Sequence, residues 1–170
     1  MAEDLSISIQ GPAPTQLRYM ILAAQREGFR MFSRLLEDLG LTPPQAEILV
    51  VLEDFGPLSL RDLGGMIVCE AGSPSRVVNA LVQRGLVARN PDPRDRRAVL
   101  LELTPAAHAL VPTLRQIETE MDARTSDLLE PEHQQLLAVV LRNLLQGSRG
   151  GLALDRRFAA WRSGQPSTVS

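Results

Sequence analysis

One stretch, residues 86–105, constrains the fold of this 170-residue chain more than any other. The residues over 86–89 and over 99–103 follow a period of two, which is typical of β-strands. The eight residues between them, NPDPRDRR (90–97), form a loop too long and too charged for a tight turn. The stretch therefore predicts a β-hairpin, and the length and charge of its tip indicate a role beyond connecting the two strands.

The rest of the chain has the spacing and the boundary signals of helices. Thr42-Pro43-Pro44-Gln45 is a capping box with proline at the first helical position, and Gly40 and Gly85 are natural helix stops. Apolar spacing and these signals predict helices over 17–39, 42–53, 59–67, 73–84, 104–128 and from 131 to about 145. Ser148 to Gly151 should then break the chain, and the tail beyond it carries a weak helical face of Leu154, Phe158 and Trp161, which either frays or packs against the body or a partner chain.

This order of elements predicts a mainly α fold with a small β-hairpin, in which a winged helix-turn-helix is flanked by N- and C-terminal dimerisation helices. The predicted organisation is a flexible leader over 1–16, a helical dimerisation region over 17–41 and 104–146, a winged helix-turn-helix DNA-binding domain over 42–103 and a tail over 147–170.

The distribution of charge is more informative than its sum. The chain has a net charge of −2, but the window 71–97 contains six arginines against two acids and is net +4. Such a cluster indicates a polyanionic partner. The six arginines are Arg76, Arg84, Arg89, Arg94, Arg96 and Arg97.

Several classes of protein are disfavoured by what the sequence lacks. The single cysteine, Cys69, cannot form an internal disulfide, and we find neither a secretory signal nor an apolar run near the roughly 20 residues of a membrane span, so we expect a soluble cytoplasmic protein without membrane partners. His108 and His133 have no companion ligands at metal spacing. With no catalytic or phosphate-binding signature, we expect no enzyme, no metal and no cofactor.

Two motifs in register give the chain a family resemblance over about residues 17–145. The first is Asp95-Arg96-Arg97-Ala98, followed by a strand and Leu103-Thr104; the second is Ser75-Arg76, followed by Gly85-Leu86-Val87-Ala88-Arg89. With them the chain resembles the MarR family of bacterial transcriptional regulators, with winged helix-turn-helix domains that bind double-stranded DNA. It departs from the family at Val68, where a glycine is usual, and at Asn79-Ala80, where an acid and a basic residue are common. In CEAGSPSR (69–76), Pro74 should make the fourth helix start near Ser73 or reshape the turn.

The resemblance makes the fourth helix the recognition helix, which enters the major groove. Its polar residues Ser73, Ser75, Arg76 and Asn79 would face DNA. The guanidinium of Arg76 can fork onto guanine, and Asn79 can pair with adenine or bind a phosphate. Val77, Val78, Leu81 and Val82 would supply the buried side of this helix.

In the wing, the resemblance implies that Arg97 inserts into the minor groove, which suits the weakly hydrated guanidinium. It also implies that Asp95 holds the wing through an arginine partner. Arg94 and Arg96 would neutralise phosphates, which fixes position without reading sequence.

The first, fifth and sixth helices carry more apolar surface than one winged helix can cover. This excess and the resemblance predict a homodimer; a larger monomeric core is the alternative. The predicted interface residues are Leu17, Ile21, Leu110, Leu114, Ile117, Met121, Leu141 and Leu144. In the family, small and often aromatic or phenolic effectors bind between the dimer helices and the winged domain.

The leading functional hypothesis is thus a homodimeric, ligand-responsive repressor that binds a pseudopalindromic operator. One alternative is a winged-helix module for protein assembly that does not bind DNA. Another is an oxidant-sensing regulator acting through Cys69, although the neighbouring Glu70 disfavours the reactive thiolate and a small buried core residue is the simpler interpretation.

Overall fold

The computed structural model describes residues 12–68, 73–95 and 97–158. The mainly α fold with a small β-hairpin is confirmed. The elements, in chain order, are α1 (Pro14–Leu35), α2 (Pro43–Phe55), β1 (Leu58–Ser59), α3 (Leu60–Gly64), α4 (Pro74–Gln83), β2 (Val87–Pro91), β3 (Val99–Leu103), α5 (Pro105–Asp127), α6 (Pro131–Leu145) and α7 (Arg149–Arg157), with a 3₁₀ turn at Glu37–Leu39.

The helices begin where the local chemistry of the sequence predicts. Proline occupies the first position of α1, α2, α4, α5 and α6, where a missing N–H costs nothing because the first turn has no acceptor for it. Gln45 Oε1 accepts from the Thr42 N–H at 3.0 Å. Thr104 Oγ1 accepts from the Ala107 N–H at 3.3 Å and donates to the Gly85 carbonyl at 2.7 Å, so this cap also joins α5 to the end of α4.

The two predicted glycine stops adopt the left-handed conformation, with φ of 59° at Gly40 and 68° at Gly85. The expected end of α1 at residue 39 is wrong, because the helix ends at Leu35 and a 3₁₀ turn follows. Leu36, which lies between the end of α1 and the 3₁₀ turn, is fully buried in the core. At its other end, α1 begins at Pro14, inside the predicted leader.

The sheet has a third strand that the sequence pattern did not predict. The strand order is β1-β3-β2, with Leu58 opposite Leu101 and Val87 opposite Leu103, and both pairs are antiparallel. β2 also continues to Pro91, so the connecting loop is 92–98 and the predicted eight-residue tip is too long. Proline is tolerated there because the end of an edge strand needs no donor.

The core is organised around α2, most of which is buried. Helix α5 packs on it, and this overturns one predicted interface residue: Leu114 is only 1% exposed and belongs to the core of its own chain. Leu110 and Ile117, also predicted for the interface, pack against the same cluster. The first half of α5 is therefore part of the winged domain.

A polar link also ties α5 to α2. Arg115 donates to Asp54 on α2 and, at 2.9 Å, to Glu118 on its own helix. Burial alone would lower the pKa of the Arg115 guanidinium, but the hydrogen bond to Glu118 and the charges of Glu118 and Asp54 raise that pKa above its ordinary value. The side chain thus stays charged where α5 meets α2.

The predicted break at Ser148 to Gly151 is wrong, because these residues start a helix. Ser148 Oγ accepts from the Gly151 N–H at 3.0 Å and caps α7, in which Ala153 is buried. The described part of the predicted tail therefore packs against the body. Trp161, the last residue of the predicted tail face, lies outside the described residues.

Candidate nucleic-acid interface

Helix α4 has one buried and one exposed side. Val78 and Leu81 are fully buried, and Val77 and Val82 pack partly buried against the same core, as the sequence predicts. Ser73 is the cap of α4, and Ser75, Arg76 and Asn79 lie within its first six residues; of these four polar residues, all but the half-buried Ser75 are exposed.

The start of α4 resolves the question raised by CEAGSPSR. Ser73 is the N-cap residue and Pro74 is the first helical residue, as expected from the sequence. The hydroxyl oxygens of Ser73 and Ser75 are 2.6 Å apart and share a hydrogen bond. Residues 69–72, including Cys69, lie outside the described residues.

A side-chain contact joins α4 to the wing, which is the surface formed by β2, β3 and the loop 92–98. Arg89 on β2 donates to Asn79 Oδ1 on α4. On the wing itself, Asn90 Nδ2 donates to Glu102 Oε2 at 2.8 Å. The sequence analysis used Arg89 only as part of a motif and missed it as a site residue, because no local pattern shows that it meets a residue ten positions away.

The tip of the wing is held by two aspartates that bind backbone N–H groups. Asp92 Oδ1 accepts from the Arg94 N–H at 2.8 Å, and Asp95 Oδ1 accepts from the Arg97 N–H at 2.9 Å. Both contacts are Asx turns, in which an aspartate side chain accepts a hydrogen bond from the backbone N–H two residues later. The Ala98 N–H also donates to the Asp95 carbonyl at 2.9 Å.

The Asp95 carboxylate braces the wing through the backbone of Arg97, and among the described residues it forms no ion pair with an arginine side chain. The arginine partner that the resemblance implies for Asp95 stays a prediction. Arg96, predicted to neutralise a phosphate, lies outside the described residues.

The arginines of the basic cluster fall into two groups. Arg84 Nη1 and Nη2 donate to the carbonyl oxygens of Gly40 at 2.7 Å and Leu39 at 3.1 Å, so this side chain fixes the end of the 3₁₀ turn. Within 12–68, 73–95 and 97–158, by contrast, no carboxylate lies within ion-pair distance of the exposed side chains of Arg76, Arg94 and Arg97.

Helices α1 and α6 each carry exposed apolar side chains, and neither helix contains a buried residue. Three of the predicted interface residues are well exposed: Leu17 at 50%, Ile21 at 41% and Leu144 at 61%. Leu141 and Met121 are half-buried. The remaining exposed large apolar residues of the two helices are Tyr19, Met20, Leu22, Phe29, Leu136, Leu137, Val139 and Val140.

Other kinds of site find little support in the described part of the chain. It contains no group of three or more histidine, cysteine, aspartate or glutamate side chains that could hold a metal, and His108 Nδ1 instead lies 3.0 Å from Glu53 Oε2. No helix in that part is both long and apolar enough to cross a membrane.

The short helices α3 and α4, followed by the β2–β3 hairpin with β1 on its far edge, define a winged helix-turn-helix, a class of DNA-binding fold. The chain belongs to the MarR family, whose sequence model matches residues 41–99. It is therefore a DNA-binding transcriptional regulator and not an enzyme.

Relatives and solved structures agree with this assignment. The HTH-type transcriptional repressor NicR of Pseudomonas putida is 33% identical over 106 residues, which are 60% of this chain and 67% of that protein. The structure of BpsR from Bordetella bronchiseptica superposes with a TM-score of 0.71 at 28% identity, over 81% of this chain and 100% of that one. A mutant MarR from E. coli, crystallised with operator DNA, has the same fold with a TM-score of 0.70 at 23% identity, over 76% of this chain and 94% of that one.

Proposed function

We propose that the protein is a homodimeric, ligand-responsive repressor that binds a pseudopalindromic operator. The observation that carries the proposal is the Arg89–Asn79 contact, because it joins the exposed side of α4 and the arginine-rich wing into one surface. On that surface the described arginines Arg76, Arg94 and Arg97 have no carboxylate partner within the described residues, which suits them to a polyanion.

Helix α4 would read base edges in the major groove. Arg76 would fork onto guanine, and Ser73 and Ser75 at the start of the helix would bind base edges or phosphates. The Asn79 oxygen is already bound by Arg89, so we infer that these two residues act as a pair in which the amide N–H groups face DNA. The base preference at this position would then differ from that of an asparagine acting alone.

The wing would contact the neighbouring minor groove. Arg97 would insert there, held by the bond from its N–H to Asp95, while Arg94 would neutralise a phosphate. Arg96 keeps its predicted phosphate role as a proposal. In this arrangement the phosphate contacts would position the protein on the DNA, and α4 and Arg97 would recognise the base sequence.

Dimerisation would occur through α1 and α6 and would bury their exposed apolar side chains. Monomers rarely expose so many large apolar side chains on single helices, and neither α1 nor α6 contributes a buried residue to the protomer's core. The two α4 helices of the dimer would then enter major grooves about one helical turn apart. The predicted interface keeps Leu17, Ile21, Met121, Leu141 and Leu144.

The response to a small molecule rests on a cavity and on one relative. A cavity of about 440 Å³ lies between α6 and α7, with Leu141, Leu145, Leu154 and Phe158 among its lining residues. The structure of BpsR describes regulation of that protein's DNA binding by 6-hydroxynicotinic acid. The two α4 helices of a dimer could adopt two spacings, of which one fits the DNA. A ligand that binds one spacing more tightly than the other would shift the population of dimers able to bind DNA.

The experiment that tests the proposal is selection of genomic DNA fragments by the protein, followed by affinity measurements over a range of salt concentrations. We expect an inverted-repeat site with half-sites about 10 bp apart and a steep linear fall of log affinity with log salt. Undetectable or salt-insensitive binding would favour the protein-assembly alternative. Adding 6-hydroxynicotinic acid at millimolar concentration should release the DNA, and unchanged operator affinity would contradict a response to this ligand.

A further inference from the structure

The last turn of α7 contacts the segment that leads into α4. Arg157 Nη1 lies 2.9 Å from Glu47 Oε1 on α2, and the same oxygen accepts from the Val68 N–H at 2.8 Å. Arg156 Nη1 donates to the carbonyl oxygen of Gly65 at 3.3 Å, at the end of α3. Two neighbouring arginines therefore act at the two ends of the segment 65–68.

The contact between Arg157 and Glu47 is much less solvated than an ordinary surface ion pair. The Glu47 and Arg157 side chains are only 7% and 15% exposed. A carboxylate buried to this extent requires compensating charge and hydrogen bonds, and removing one partner of such a pair costs far more than breaking an exposed one. Glu118 Oε1 on α5 lies 3.9 Å from Arg157 Nη2, so α2, α5 and α7 meet at this guanidinium.

The position of this contact in the chain gives it a consequence for DNA reading. Only four residues, 69–72, separate the segment 65–68 from the Ser73 cap of α4. Because a helix in the major groove must keep its side chains within hydrogen-bond reach of base edges, the position of the segment before it affects which contacts form. Neither Arg156 nor Arg157 belongs to the surface that we assign to DNA, which consists of α4 and the wing.

We propose that Arg156 and Arg157 are positioning residues for operator binding, through which α7 fixes the segment 65–68 and with it the orientation of α4. The proposal rests on the proposed DNA-binding function. It assigns to the C-terminal helix a role in DNA reading without any contact with DNA. Arg157 acts through Glu47 and Val68, and Arg156 acts through Gly65.

The test compares Arg157→Met with Arg149→Gln. Both variants remove one positive charge from α7, but Arg149 is exposed in the first turn, far along the helix from the Glu47 contact. We expect Arg157→Met to lose operator affinity by about 5- to 150-fold, the usual range for coupling between separate sites. Arg149→Gln should keep wild-type affinity, and Arg157→Lys, which retains one donor and the charge, should recover most of the loss.

A second measurement, amide hydrogen exchange at Val68, is independent of DNA. The N–H that Glu47 binds should exchange faster in Arg157→Met than in wild type or Arg149→Gln, at a temperature where circular dichroism shows all three folded. If Arg157→Met does not fold, Arg156→Gln replaces it, since this change removes only an exposed hydrogen bond to the Gly65 carbonyl.

The outcomes separate the two proposals. If the wild-type protein binds no selected DNA, the proposed function fails, while the exchange at Val68 still tests the contact. If wild type binds its operator and the folded Arg157 or Arg156 variant binds it as tightly as Arg149→Gln, with Val68 equally protected, the positioning role is overturned.

Discussion

Arginine side chains that are close together in residues 76–97 meet different surroundings in the structure. Arg84 binds the carbonyl oxygens of Leu39 and Gly40, and Arg89 binds Asn79. Arg76 and Arg97 have no carboxylate within ion-pair distance among the described residues. A count of positive charges therefore overstates the number available to DNA.

Replacing Arg97 by alanine should weaken operator binding by about 1–3 kcal/mol and relax the preference for the sequence under the wing, because a minor-groove contact depends on groove shape. Fluorescence anisotropy with the selected operator and with variants of it measures both effects. Arg94→Ala is the matched control. Loss of a phosphate contact should lower the affinity for all DNA sequences equally and reduce the slope of log affinity against log salt by about one. Equal losses on every sequence for Arg97→Ala would contradict the insertion.

Arg84 and Arg76 should separate stability from recognition. Arg84→Ala should lower the free energy of unfolding by about 1 kcal/mol, because two carbonyl groups at the end of the 3₁₀ turn lose their donor. Arg76→Ala should leave stability unchanged but relax specificity at one base pair. Urea titration and binding to operator variants measure the two effects, and a reversed pattern would show that the two roles are wrongly assigned.

At the scale of elements, the two halves of α5 lie in different surroundings. Its first half packs in the core of the winged domain around Leu114, and Met121 in its second half is only half-buried. Helices α1 and α6 contribute no buried residue to this core. In the homodimer that we propose, α5 would carry a change at the interface to the winged domain.

Leu114→Ala should destabilise the protomer by about 2–5 kcal/mol, since it leaves a cavity where α5 packs on α2. The measurement is the urea midpoint at several protein concentrations, because the stability of a dimer depends on concentration. Leu144→Ala on the exposed face of α6 is the comparison, and its effect should appear in the concentration dependence. A small, purely concentration-dependent effect for Leu114→Ala would restore that residue to the interface.

At the scale of the whole molecule, the exposed apolar side chains of α1 and α6 are the surfaces through which we propose that the protein dimerises. The protomer buries its core around α2 without these side chains. In a symmetric dimer, a second copy of the chain would cover these side chains in both protomers.

Ile21→Asp should shift the protein from dimer to monomer, because a charge would be buried in an apolar interface. Sedimentation velocity over a range of concentrations measures the shift. Leu60→Asp is the control, since Leu60 is similarly exposed, at 38% against 41% for Ile21, but lies on α3. A dimer that persists in Ile21→Asp would place the interface elsewhere.

Much of the fold could be predicted because its signals are local. Proline marks where helices α2, α4 and α5 begin, and capping hydrogen bonds at Thr42 and Thr104 support the starts of α2 and α5. Glycine marks the stops at Gly40 and Gly85, and period-two spacing predicts the β2–β3 hairpin. Each signal acts within a few residues through backbone sterics or a single hydrogen bond. The two-sided character of α4 follows from its 3.6-residue period in the same way.

What the sequence determined by itself is therefore the kind and order of most elements and the polar residues of α4 and the wing. The tertiary structure alone decided which distant groups meet: the two-residue strand β1 against β3, Leu114 in the core, Arg89 on Asn79, and Arg157 on Glu47 across 110 residues. Such contacts depend on how elements pack in space, and a side chain carries no local mark of its distant partner. For the same reason, the sequence leaves open whether the helical face after Gly151 packs, and the buried Ala153 of α7 decides it.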